Sequence, residues 1–511
     1  MKKRISALTC TFVLLLAFIF QPIGLGNTDF EEVIGDPLQP GTFSIGTLPA
    51  EPDPEKPVIV FVQGLTNNST TWYEDNDMYS LALEDGYETA FVELYDSGGE
   101  PKSYWDNGEM LAQQLEDISN YFLGKTLAVV GYSKGGIDAQ VALIHEGKHH
   151  LVSDVVTIGS PHHGSELADL ANSFWAGWLA NLIGANSEGT QSLQTGVMNN
   201  FRAETDFLSE TELNNYYTIA GENTGSWFSS YWWGSQFISG PSDGVVSVES
   251  AHLPYGDMLA IGDWNHGNVH YGSNALPIFK DHLTTEAQTS ANSFDHPFFE
   301  ADDEELDLFI RGGEHIGTTE ETFFVENNVE ALTINWMSST KLDAIELVEP
   351  GKNNETTYDI VQLEDQEFFN GAWHHMIEID SPQTGEWVIR SHTEEDSAYL
   401  LLVNYDSSLN HDLTIENHTK GWRVDTGFKQ RSNTIDISYR VDFAPGKIGE
   451  NKRITPQQSS HETDDEFVTI TDQGEGTYNV TIDIEGTTPS GDKFQRTSVQ
   501  TIYLDENGNA Y

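Results

Sequence analysis

A serine hydroxyl is a weak nucleophile until a neighbouring base takes its proton, so its surroundings decide whether it can do chemistry. The segment Gly131-Tyr132-Ser133-Lys134-Gly135-Gly136 sets one serine among glycines. It follows the apolar run Leu127–Val130 and precedes a stretch with Ile137, Val141 and Ile144 on one helical face. A turn this tight between strand and helix leaves no room for a Cβ on either side of the serine. It lifts the hydroxyl clear of the sheet and puts a helix amino terminus under developing negative charge. Ser133 is therefore the candidate nucleophile. Downstream, Ser242-Asp243-Gly244-Val245-Val246 offers an acid at a turn, and Trp264-Asn265-His266-Gly267-Asn268 offers a histidine 23 residues later. Serine, acid and histidine in that order can form a catalytic triad, with His270 and His252 as rivals to His266.

These residues need a scaffold. Val58–Val62 is apolar throughout, as a parallel strand covered on both faces must be, and Thr89–Leu94, Leu127–Val130, Val155–Ile158 and Tyr217–Ala220 read the same way. Met110, Leu111, Leu115, Ile118 and Phe122 recur at helical spacing between two of them. Alternation of this kind predicts an α/β catalytic domain with a mostly parallel sheet over residues 57–290. A Pro-rich lead-in over 27–56 precedes it. Beyond it the pattern changes to period-two runs: Ala331–Trp336, Glu386–Ile389, Tyr399–Val403, Ile435–Val441 and Tyr478–Ile482. Turn signals separate them, which predicts two all-β sandwich domains, 291–415 and 416–511.

Four blocks resemble the secreted bacterial true lipases and their esterase relatives within the α/β-hydrolase superfamily. Val60-Phe-Val-Gln-Gly-Leu65 is similar to the family's oxyanion strand and loop, and Gly131–Gly136 to its elbow. Ile158–Ser165 with Leu167-Ala168-Asp169 resembles the approach to the lid. Ser242–Val246 with Asn265-His266 resembles the acid and histidine blocks. The resemblance spans about residues 57–283 and implies a serine carboxylesterase or triacylglycerol lipase that works through an acyl-enzyme intermediate. Ser133 would be nucleophile, His266 general base and acid, and Asp243 the group that orients it. The backbone N–H groups of Leu65 and Lys134 would form the oxyanion hole.

Three positions depart from the family. Gln63 stands where histidine usually precedes the glycine, and its amide can still brace the loop. Tyr132 replaces a common histidine, with a side chain expected to point away from the chemistry. Relatives bind a structural calcium through an Asp after the catalytic histidine and another upstream of the acid. Here Asn268 occupies the first place, and segment 217–242 supplies Glu222 but no Asp. No cofactor is required, and the calcium site is not carried over intact.

Residues 167–183 hold Leu170, Phe174, Trp175, Trp178, Leu179, Leu182 and Ile183 at helical spacing, which predicts one broad apolar lid helix. Trp227-Phe228 and Tyr231-Trp232-Trp233 form a second apolar tract, either acyl pocket or core. The implied partner is an apolar ester at a lipid or polymer surface. The alternatives are an extracellular polyester depolymerase and a catalytically silent surface-binding protein. In the β region, Asp302–Glu305 and Asp464–Glu466 read as solvated turns before calcium sites, and Phe368, Phe369, Trp373 and Trp387 as core before a surface-gripping face. These domains are expected to aid attachment or stability.

Composition limits the partners. The chain has 24 basic and 81 acidic residues among 511, a formal charge of −57. Nucleic acid and anionic membrane surfaces need clustered Lys and Arg and are excluded as partners. Hydrophobic content of 38% with 12 Trp, 19 Tyr and 26 Phe is too rich for an acidic disordered chain. The load is even, 37 acidic against 7 basic in 27–290 and 44 against 14 in 291–511. It reads as a whole-surface adaptation to high salt, where screening weakens self-repulsion. Met1–Arg4, the apolar Ile5–Phe20 and the small Gly24 and Gly26 form a secretory signal over 1–26, which predicts an extracellular protein with no transmembrane span. The single cysteine, Cys10, lies inside that segment, so no disulfide or thiolate chemistry is expected. Nothing in the sequence bears on oligomeric state.

Overall fold

The computed structural model describes residues 30–286, 304–352, 358–425, 427, 435–448, 457–463 and 466–511. The predicted signal segment, Cys10, Asp302-Asp303 and Asp464-Asp465 lie outside the described residues.

The α/β half is built on an eight-stranded sheet: β1 (Phe30–Ile34), β2 (Phe43–Gly46), β3 (Val58–Val62), β4 (Thr89–Val92), β5 (Leu127–Tyr132), β6 (Val152–Ile158), β7 (Asn215–Gly221) and β8 (Asp257–Gly262). Their order is β1-β2-β4-β3-β5-β6-β7-β8, and every pair from β4 to β8 is parallel. The α-helices among the described residues are α1 (Met78–Glu84), α2 (Tyr104–Tyr121), α3 (Lys134–Gln140), α4 (Glu166–Ala171), α5 (Gly177–Ile183), α6 (Glu188–Gln191), α7 (Thr195–Thr205), α8 (Ser230–Ser235) and α9 (Gly272–Phe279). Alternation along β3 shows why its run is wholly apolar. Val58, Val60 and Val62 enter one core with Leu111, Leu115 and Ile118 of α2, while Ile59 and Phe61 enter the opposite core with Met78 of α1 and Phe279 of α9. This is an α/β-hydrolase sheet with helices on both faces.

The lead-in expected over 27–56 contains regular structure within its described part. It supplies β1 and β2, which pair antiparallel with each other and onto β4. Ile45 is fully buried there, so these short strands close an apolar sheet edge.

The remaining chain is antiparallel. Residues 308–407 form a six-stranded sheet dominated by two long strands, Leu308–Val325 and Gly385–Ser407, paired from Leu308 opposite Asn404 to Val325 opposite Gly385. The runs Glu386–Ile389 and Tyr399–Val403 belong to one strand. Two four-stranded sheets follow and face each other across a core containing Trp422, Val424, Tyr478, Val480 and Leu504. Glu304–Glu305 lies in this second unit, pairing with Thr414–Ile415.

Candidate active site

Ser133 sits between β5 and α3 with φ 52° and ψ −129°, a left-handed conformation that costs roughly 1–3 kcal/mol for a non-glycine residue. The glycines make it attainable. A Cβ on Gly131 would lie 2.7 Å from the Gly136 nitrogen, and one on Gly135 would lie 2.4 Å from the Gln63 carbonyl oxygen. Both are backbone clashes, so the elbow tolerates no larger residue at either place.

β7 and β8 are followed by the turns that carry the partners. His266 Nε2 is 3.1 Å from Ser133 Oγ, and His266 Nδ1 is 2.8 Å from Asp243 Oδ2. With Nδ1–H donating to the carboxylate, Nε2 is left to accept the serine proton. Asp243 Oδ1 accepts the Val245 and Val246 backbone N–H groups at 2.9 and 2.8 Å, and its carbonyl accepts the His266 N–H at 2.9 Å. The acid is thus locked on three sides. Ser133, Asp243 and His266 are 7%, 1% and 8% exposed, so their interactions are sheltered from bulk water.

His270, the rival base, is elsewhere. Its ring stacks on Tyr132 at 4.0 Å, and burial together with His266 pushes its pKa down to about 3. Tyr132 itself corrects an expectation: its hydroxyl donates to the His266 carbonyl at 2.8 Å, so it braces the histidine loop. No local signal marks that contact, which joins residues 134 apart.

The loop after β3 abuts the elbow. A Cβ on Gly64 would lie 2.9 Å from that of Ser133, and the turn closes through Asn67 N–H to the Gly64 carbonyl at 3.3 Å. Gln63 is buried, and with its amide matched to its neighbours it donates to the Val92 carbonyl and accepts from Leu94 N–H and Ser97 Oγ. It therefore pins the Leu65 loop to the end of β4. The Lys134 N–H opens α3, where a helical N–H has no partner one turn back.

A solved structure described as Bacillus licheniformis lipase BlEst2 in propeptide form is 33% identical, with a TM-score of 0.78, over 93% of this chain and 99% of that one. The chain belongs to this lipase family. The same Bacillus lipase in mature form aligns at 43% identity over 48% of this chain and 99% of its own, with a TM-score of 0.46. Aspergillus fumigatus lipase B aligns at 17% identity over 49% of this chain and 58% of its own, with a TM-score of 0.30. No family model and no curated protein matches the chain.

The expected lid helix is two short helices, α4 and α5, in this hydrolase. Asn172 and Ser173 break it: Asn172 donates to the Ala168 carbonyl, and Ser173 Oγ accepts the Ala176 N–H. Leu170 and Leu179 are buried, Trp178 and Leu182 are 44% and 56% exposed, and Phe174 and Trp175 lie in the break. The β half holds that break. Arg440 lies over Phe174 at 4.0 Å, Arg311 over Trp175 at 4.9 Å, and the Phe174 N–H donates to Thr481. In the Trp tract, Trp233 is buried against Met376 while Trp227 stays exposed.

A loop of the β half meets Tyr231, which abuts the His266 loop. Tyr231 fits between two glycines: a Cβ on Gly267 would lie 2.2 Å from its hydroxyl, and one on Gly244 2.6 Å from its Cβ. These glycines directly follow His266 and Asp243. The Tyr231 hydroxyl hydrogen-bonds Glu367, and Phe368 packs on the apolar cluster that also receives Leu65. The 365–372 loop is stiffened from behind, because His374 bridges Asp365 at 2.9 Å and Asn335 at 2.8 Å. A cavity of only about 20 Å³ remains between Tyr231, Val245, Phe368 and His374. Of the candidate surface-gripping aromatics, Trp387 and Phe369 are core.

Among the described residues no three His, Cys, Asp or Glu side chains are grouped to hold a metal ion, and no helix is long and apolar enough to cross a membrane. Asn268, at the family's calcium position, instead accepts the Asn265 N–H at 3.0 Å and closes the histidine turn.

Proposed function

We infer that the chain is an extracellular serine carboxylic-ester hydrolase for apolar acyl esters, held in a covered precursor form. The observation that carries the chemistry is the Ser133–His266–Asp243 chain of hydrogen bonds at 3.1 and 2.8 Å. His266 removes the Ser133 proton as Oγ attacks the ester carbonyl. The resulting oxyanion is received by the Leu65 and Lys134 backbone N–H groups. His266 returns the proton to the departing alcohol, and water repeats the sequence to release the acid. Asp243 orients the imidazole and stabilises its cation. Exposed Trp178 and Leu182 beside the buried lid residues suit an apolar acyl chain at a lipid surface. The even acidic coat suits salty surroundings, and the predicted signal segment suits export.

The covered form rests on two supports. The β half presses on both the lid break and the Tyr231–Gly267 contact, and the relative aligned over 93% of this chain is described as a propeptide form. On this reading the β half limits access until it is displaced or removed. Full-length protein and Ser133→Ala are compared on p-nitrophenyl esters of increasing chain length, with and without emulsified triglyceride. Turnover by the wild type and none by the variant is expected. Equal rates for the two would sink the enzyme reading.

A further inference from the structure

Beneath the nucleophile lies a buried polar network that the triad does not use. Asp96, in the turn after β4, is 3% exposed, and its carboxylate meets donors from three other elements. Oδ1 accepts the Thr66 backbone N–H at 3.1 Å. Oδ2 accepts the Asn107 amide of α2 at 2.5 Å and the Lys134 ammonium of α3 at 3.3 Å. Lys134 is fully buried and also meets both Asp138 oxygens, at 3.1 and 3.2 Å, while Asn107 donates to Asp138 at 2.9 Å. Burial alone would lower the Lys134 pKa, but Asp138 and Asp96 outweigh it and hold it above the ordinary value. Desolvating such a set offsets most of its mutual attraction, so stability is a poor reason for it to exist.

Thr66 points to a better one. Its φ is +59°, a left-handed conformation rare for a β-branched residue and usually given to glycine in a turn. Strain of this kind persists only where the surroundings over-determine it. Asp96 holds the N–H of this strained residue, immediately after Leu65. Its other oxygen holds the side chain of Lys134, whose own N–H is the second oxyanion donor. One carboxylate therefore ties the two halves of the hole together.

We propose that Asp96 is a positioning residue for the oxyanion hole, fixing the Leu65 and Lys134 backbone donors relative to each other through Thr66 N–H and Lys134 Nζ. This rests on the reading of those two N–H groups as oxyanion donors. Lys134 thereby has a task for its side chain as well as its backbone.

Kinetics per titrated site separate positioning from folding. Full-length wild type, Asp96→Asn, Asp96→Glu and the double variant Asp96→Asn/Thr66→Gly are titrated with a small fluorophosphonate that labels Ser133. p-Nitrophenyl acetate turnover is then divided by titrated sites. Asp96→Asn is expected to lower kcat about 10- to 100-fold with KM within about twofold, because a misplaced donor is felt in the transition state. Asp96→Glu keeps the charge balance but shifts the acceptor by a methylene, and should fall in between. Thr66→Gly relieves the turn, so the double variant should recover kcat over Asp96→Asn. If Asp96→Asn does not fold, Asp96→Glu with and without Thr66→Gly carries the same test. Wild-type kcat per site in the Asp96 variants, or no recovery from Thr66→Gly, overturns the assignment. A wild type whose Ser133 is labelled by the fluorophosphonate, and is therefore accessible, but turns over no p-nitrophenyl acetate would instead overturn the ester-hydrolase reading.

Discussion

The two halves of the chain carry the same acidic surplus yet use their buried polar residues in opposite ways. In the α/β half they converge from several strands on one point: Asp243 and His266 beside Ser133, and Asp96, Lys134 and Asp138 beneath it. In the β half the Arg496–Glu326 pair at 2.6 Å stays inside, while others brace the parts that face outward from its core. His374–Asp365 stiffens the loop carrying Glu367 and Phe368, and Arg311 with Asp483 supports the clamp on Trp175. A parallel sheet gathers side chains at the carboxyl ends of its strands, whereas antiparallel sheets present long strands and loops to a neighbour. On the proposed reading, chemistry belongs to one half and access to the other.

That division can be broken at its strongest point first. Asp243→Asn leaves the geometry in place but removes the charge that selects the His266 tautomer, and should cost about 10⁴-fold in kcat. It should do so whether or not the β half is present. A loss below about tenfold would mean that another acid serves His266. The access side is tested by Glu367→Gln combined with Phe368→Ala, which frees Tyr231 and the Leu65 side of the cleft without touching the triad. Turnover of long-chain esters by the full chain should rise about tenfold, an effect equal to about 1.4 kcal/mol. No rise would show that the loop only rests on the cleft. Smaller still is Tyr132→Phe. Losing the bond to the His266 carbonyl removes about 1 kcal/mol of bracing, or roughly fivefold in kcat. An unchanged kcat would return Tyr132 to the bystander role its position in the elbow suggests.

How much of this was legible depends on what each feature answers to. The residues of the Ser133–His266–Asp243 hydrogen-bond chain were readable because activating a serine demands given residue types in a workable order, and β3 and β5 because double burial leaves an apolar run. β4, β6 and β7 showed through apolar stretches that also carry the buried Thr89, Asp154 and Thr218. β8 was not readable, since it is a half-exposed edge strand with Ile261 at 48% exposure. β1 and β2 hid among prolines. The lid read as one helix because its spacing is helical, but Asn172 and Ser173 compete for backbone hydrogen bonds, and Arg311 and Arg440 settle the break from far along the chain. Asp96 and Tyr132 act through backbone groups of distant residues, and no residue pattern records such partners.

The seam between the halves gives the last and smallest test, through its pH dependence. Three carboxyls meet there. Burial pushes Asp169 up to about 6, Glu304 to about 7 and Glu166 to about 8, and the Asp169 charge adds to the rise at Glu166 and Glu304. Asp169 is held by Thr195 and Thr501, Glu304 by Gln500, and Glu166 by the Ser239 N–H; Asp307 adds a further negative neighbour. Each group binds its proton more tightly folded than unfolded. The stability they contribute is therefore full below the ordinary carboxylate range and is lost as pH rises through 6 to 8. His163 and His270, held neutral by burial, add stability as pH rises to the ordinary imidazole range, so the carboxyl effect is read above it. Calorimetry of the full chain from pH 7 to 9 should show a falling Tm, by about 2–4 °C for each kcal/mol lost. Asp138, raised to about 7 by burial away from the seam, has the same sign, so Glu304→Gln isolates the seam's share. The variant should fall less steeply than wild type over the same range. Parallel curves would show that Glu304 takes no part in the pH dependence, leaving it to other carboxyls raised by burial such as Asp138, Asp206 and Asp442.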